Sequence, residues 1–210
     1  MHTNLTKIIA KDSTNRPKKL KLNKVLKLSY DNNINHQQRM KKNGYAYDSM
    51  LSNKNEKVYY NPTSKKLLVS VAGTDNFSPK NLITDVYLGL GKLQDTSRYQ
   101  SAHKTIRDAK TKYNVKNATL AGHSLGGSIV SYAGSAGDKI YTLDKGATIG
   151  TKTRSREKAF RSAGDAVSAL SANAKNMTTL GTNNYLRDKV IMGALKARNV
   201  SNIKNEKIFI

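Results

Sequence analysis

The 210-residue chain is long enough for one compact domain with an appendage and for a real core without disulfide or metal staples. With 37% hydrophobic residues, 24% charged residues and no cysteine, it is neither a disordered or fibrous chain nor a thiolate metal protein. Lys and Arg number 37 against 14 Asp and Glu, and the net charge of +23 predicts adhesion to a polyanion, although an AT-rich coding bias toward lysine and asparagine produces the same composition without a partner.

Residues 1–57 form a basic N-terminal segment, with thirteen Lys or Arg against four acids, a net +9. Within it Arg16, Lys18, Lys19, Lys21, Lys24 and Lys27 interleave with Leu20, Leu22, Val25, Leu26 and Leu28. This short amphipathic stretch reads either as a strand or helix packing its leucines on the core, or as an arm for nucleic acid or lipid headgroups.

From residue 58 to 210 the pattern becomes strand and helix in alternation. Val58 to Tyr60, the turn Asn61-Pro62-Thr63-Ser64 and the apolar run Leu67 to Val71 predict a hairpin. Tyr99 to Tyr113 is a helix, because Ala102, Ile106, Ala109 and Tyr113 recur at spacings of four and three. Ala118 to Ala121 is a short strand, Leu125 to Ala136 a small-residue helix and Lys139 to Leu143 a further strand. That order predicts an α/β protein with a mostly parallel central sheet and helices on both faces.

Gly122-His123-Ser124-Leu125-Gly126 matches G-x-S-x-G between a predicted strand and a predicted helix, the setting in which the motif is a nucleophile elbow rather than a small-residue turn. The serine needs a strained turn tip, so the residues two before and two after it must lack bulk. Leu125 then offers its backbone N–H to an oxyanion at the start of the following helix.

These residues, with Gly127, resemble the class 3 (fungal-type) lipase family of the α/β-hydrolase fold. In that family an earlier strand ends in Arg-Gly-Thr or Arg-Gly-Ser, and Val71-Ala72-Gly73-Thr74 stands in that place, so the resemblance gives Thr74 the other half of the oxyanion hole. The family's arginine is Ala72 here. Asn81-Leu82-Ile83-Thr84-Asp85 is similar to a family segment with tryptophan at Leu82, which makes Asp85 structural. Gly164-Asp165-Ala166-Val167 fits the family's acid, and Asp165 would accept from the base histidine and hold its tautomer; the alternative is a turn or N-cap aspartate.

The base itself is missing. The four histidines, His2, His36, His103 and His123, all precede Asp165, whereas the base follows the acid in this fold. His123 adjoins the serine on a tight turn and reads as structural; His103 falls on the helix before the nucleophile strand. Ala197-Arg198-Asn199-Val200-Ser201-Asn202-Ile203 is similar to the family's histidine segment, with Arg198 where the histidine stands. A guanidinium, with a pKa above about 12, has no lone pair for the serine proton.

The resemblance spans about Val58 to Ile203 and implies hydrolysis of carboxylic esters or phospholipid acyl bonds by ancestry, with activity weak or lost. The alternative is an inactive structural or binding protein that attaches to nucleic acid, anionic membrane or acidic proteins. Short length and lysine and asparagine bias are similar to lipase-like proteins of large DNA viruses, which implies a virion or cytoplasmic location. No cofactor or metal is expected, since no Gly-rich loop ends in Gly-Lys-Ser/Thr and cysteine is absent. No apolar run approaches the roughly 18 residues of a membrane span, and Met1 to Ala10 is too polar for a signal peptide, so the chain reads as soluble or peripheral.

Overall fold

A computed structural model describes residues 19–30, 38, 40–74, 91–146, 155–162, 177–180 and 207–209. Its centre is a seven-stranded sheet whose strands lie side by side in chain order. The strands are β2 (Ala46–Tyr47), β3 (Glu56–Asn61), β4 (Lys66–Val71), β5 (Thr119–His123), β6 (Lys139–Leu143), β7 (Glu157–Ser162) and β8 (Met177–Leu180). From β2 to β4 neighbours run antiparallel, and from β4 to β8 they run parallel. The sheet is therefore mixed and mostly parallel, and the protein is α/β.

Alternation along the strands divides the core between two faces. Leu68, Ala121, Tyr141, Leu143 and Phe160 face α1 (Leu22–Tyr30), which buries Leu22, Val25, Leu26 and Leu28 against them. Leu67, Val69, Val71, Leu120 and Ile140 face the other way, onto α2 (Ser97–Lys112) and α3 (Leu125–Ala133). Burying one aliphatic side chain of this size contributes about 1.5–3 kcal/mol, so four of them hold α1 firmly to β4 and β5. Lys24 and Lys27 stay exposed on its outer side. The basic amphipathic stretch is thus a short strand, β1 (Lys19–Lys21), followed by a helix on the core. β1 pairs antiparallel with β9 (Lys207–Phe209) in a separate two-stranded ribbon.

Several element bounds differ from the sequence expectation for local reasons. The β3–β4 hairpin begins at Glu56, where Asn53 Oδ1 accepts the Glu56 N–H, and Ser64 N–H donates to Asn61 Oδ1 in the turn. α2 begins at Ser97 because Thr96 caps it, its hydroxyl accepting from Tyr99 N–H. α3 stops at Ala133 rather than Ala136, since Gly134 leaves the helix in an extended conformation and Asp138 accepts from Ser135 N–H in the turn that follows. β5 runs on through Gly122 and His123, which carries the sheet to the edge of the motif. Among the described residues no helix is long and apolar enough to cross a membrane.

Candidate functional site: the Ser124 elbow

Ser124 sits between the last residue of β5 and the first residue of α3 with φ 54° and ψ −126°. An L-residue at positive φ is strained, and Ser124 is buried at 2% exposure. Backbone contacts hold it there: Ser124 N–H donates to the Leu143 carbonyl at 2.9 Å, and Ser128 N–H donates to the Ser124 carbonyl at 3.2 Å. The flanking glycines are required by close approach. A Cβ at Gly122 would collide with the Gly126 backbone, and one at Gly126 with the carbonyls of Val71 and Ala72. The strand, the helix and the exit of β4 meet there with no room for a methyl group.

The Ala72-Gly73-Thr74 corner packs directly on the elbow. A Cβ built at Gly73 would lie 3.0 Å from Ser124 Cβ and 2.9 Å from the His123 carbonyl oxygen. Ala72 N–H donates to the Asn55 carbonyl, and the Ala72 carbonyl accepts from Arg98 Nη2 at 2.7 Å. Thr74 Oγ1 is buried and makes no hydrogen bond among the described residues. A buried hydroxyl without a partner is costly. Leu125 is the first residue of α3, where the N–H groups have no partner within the helix, and the Ser124 side chain does not cap it.

His123 is 1% exposed, and its Nδ1 lies 2.6 Å from the Tyr30 hydroxyl, with the two rings edge to face. His103 lies exposed on α2 with its ring stacked on Tyr99. Asp165, Arg198 and Asp85, together with His2 and His36, lie outside the described residues. β7 ends at Ser162, three residues before Asp165, and Arg198 falls between β8 and β9.

Three polar features escaped sequence reasoning. Tyr30 is one. Asp144, fully buried at φ 48°, accepts from both Ser162 N–H at 2.6 Å and the Ser162 hydroxyl at 2.9 Å, and so fixes the end of β7 to β6. Below the elbow, Lys145 and Glu157 form a buried ion pair at 2.6 Å, and Glu157 also accepts from the Ser131 and Thr142 hydroxyls. The Asp144-Lys145-Gly146 sequence directly after β6 is the signal that could have marked this corner. Among the described residues no three acidic or histidine side chains cluster as a metal site.

No family model matches the chain, and no curated protein matches it. Among solved structures it is similar to the Rhizomucor miehei lipase propeptide complex, at 12% identity and a TM-score of 0.36, over 70% of this chain and 58% of that one. A likeness of that size leaves the fold to rest on the sheet order and the elbow.

Proposed function

We propose that the chain is a lipase- or esterase-type serine hydrolase of the α/β-hydrolase fold by ancestry, with Arg198 in place of the base histidine and turnover weak or lost. The observation that carries this reading is Ser124 at positive φ between β5 and α3, with Gly73 packed against it. Chain order supports it: Ser124 follows β5, Asp165 follows β7, and Arg198 follows β8.

In this reading Ser124 Oγ attacks an ester carbonyl, and the Leu125 N–H and Thr74 stabilise the oxyanion as it forms. Asp165 is the orienting carboxylate. Arg198 has no lone pair to take the serine proton, which ends the proton relay. Loss of a base histidine in a serine protease costs on the order of a millionfold, while oxyanion donors alone leave about a thousandfold over water.

A fluorophosphonate probe tests the nucleophile without requiring turnover, because it needs one attack only. The expected result is slow labelling found at Ser124 by peptide mass spectrometry and absent from Ser124→Ala. Labelling that is unchanged in Ser124→Ala contradicts the reading. The net charge of +23 favours one second reading, a protein without turnover that adheres through its basic surface to anionic lipid, nucleic acid or an acidic protein.

A further inference from the structure

The elbow and the oxyanion corner are both tied to one residue of the N-terminal segment. Tyr30 is the last residue of α1, and its hydroxyl accepts from the Gly73 N–H at 2.8 Å while sharing a hydrogen with His123 Nδ1 at 2.6 Å. Gly73 has no side chain to anchor it, and the same phenol oxygen lies 2.7 Å from where its Cβ would stand. The peptide before Gly73 is therefore oriented by Tyr30, and the peptide after it, which carries the Thr74 N–H, is turned accordingly. On the other side His123 is the residue immediately before the serine, so the same hydroxyl sets both walls of the oxyanion site.

We infer that Tyr30 is a positioning residue: it holds the Gly73–Thr74 corner in register with Ser124. The inference rests on the roles proposed above for Ser124 and Thr74. The physical case is that α1 is placed independently of this contact. Leu22, Val25, Leu26 and Leu28 already bury it against the sheet, so the phenol arrives on a rigid element and its two hydrogen bonds cost little further ordering. Both partners are buried polar groups, and removing the hydroxyl leaves a backbone N–H and a ring nitrogen to find others. A shift of an oxyanion donor by about 1 Å is enough to cost on the order of a hundredfold at the reacting centre.

The test compares full-length wild type, Tyr30→Phe and Val25→Ala, the last removing apolar contact from the same helix without touching Gly73 or His123. Two quantities are read: hydrogen exchange of the Gly73 amide, and the affinity for phenylboronic acid. The serine oxygen adds to the trigonal boron, its proton passes to water, and a tetrahedral boronate anion sits in the oxyanion site without any turnover. Tyr30→Phe is expected to speed Gly73 exchange and weaken boronate binding, each by about tenfold or more, while Val25→Ala lowers thermal stability and leaves boronate affinity near wild type. Boronate affinity unchanged in Tyr30→Phe, with wild type binding, overturns the inference and makes Tyr30 a packing residue. Wild type that binds no boronate overturns the reading of Ser124 instead, and Gly73 exchange alone then decides whether Tyr30 holds the corner.

Discussion

Ser124 carries its strain in the backbone, at φ 54° and ψ −126°, and this makes a prediction at the scale of one residue. At ordinary positions glycine is less stable than alanine by about 0.5–1 kcal/mol, but at positive φ the order reverses because glycine lacks the Cβ that clashes. Ser124→Gly should be more stable than Ser124→Ala by about 1 kcal/mol in urea denaturation. If alanine is the more stable substitute, the turn does not hold this conformation in solution. Lys145 gives a second case. Its ammonium is buried 2.6 Å from Glu157, so Lys145→Met strands a buried carboxylate and should cost about 3–5 kcal/mol. A loss under about 1 kcal/mol in the same measurement argues against a closed ion pair. Of these residues only Ser124 was legible in the sequence, because a motif between a strand and a helix carries its own context. Tyr30, Asp144 and Lys145 are single residues whose partners are far along the chain, and no local pattern marks them.

At the scale of elements, Asp48 connects the β2–β3 loop to the end of α2. Its Oδ1 accepts from Met50 and Leu51 N–H, and its Oδ2 accepts from Lys112 Nζ and the Tyr113 hydroxyl, both at 2.7 Å. Burial pushes the carboxyl pKa up, but the hydrogen bonds from Lys112, Tyr113 and Leu51 and the Lys112 charge outweigh it and bring the group below its usual 3.8. Tyr113 moves the other way, pushed up to about 12 by burial and by Asp48. A depressed carboxylate contributes stability that is present above its unfolded value and lost as pH falls through the folded one. The stability gap between wild type and Asp48→Asn should therefore be full at pH 6 and shrink as the pH falls below about 4. A gap that stays constant down to pH 2 means that the carboxylate is not engaged.

Element types were read well where apolar runs are continuous and bounded. Lys139–Leu143 falls on β6 residue for residue, since Asp138 and Asp144 delimit it. The basic stretch was ambiguous because Leu20 and Leu22 alternate as in a strand while Leu22, Val25 and Leu26 recur as in a helix. Packing on β4 and β5 decided between them, and that contact is long-range. Met177–Leu180 escaped because two threonines in four residues give no apolar alternation, and its pairing with β7 defines it.

For the whole molecule, the charge is distributed between segments: a net +9 in residues 1–57 and +14 in the rest, from 24 basic and ten acidic residues. Leucines of α1 face the core and its lysines face water, so the basic stretch adds to the surface of the domain instead of extending from it. Adhesion to anionic vesicles, at about 1 kcal/mol per lysine near the surface, should fall steeply as salt rises. Duplex DNA should show a linear log–log salt dependence of about 0.9 per phosphate contact. Binding that does not respond to salt contradicts an electrostatic origin.

The site as a whole was legible in part. The motif set Ser124 on a turn between strand and helix, and the structure has that turn with Gly73 packed against it. Asp165 and Arg198 lie outside the described residues, and the central claim rests on what Arg198 replaces. Hydrolysis of a short-chain nitrophenyl ester by Arg198→His, measured beside wild type with Ser124→Ala as the blank, tests that claim most directly. The account predicts a gain of about a hundredfold or more in Arg198→His, the contribution expected of a general base in place. Robust wild-type turnover that disappears in Ser124→Ala and does not rise in Arg198→His would contradict it.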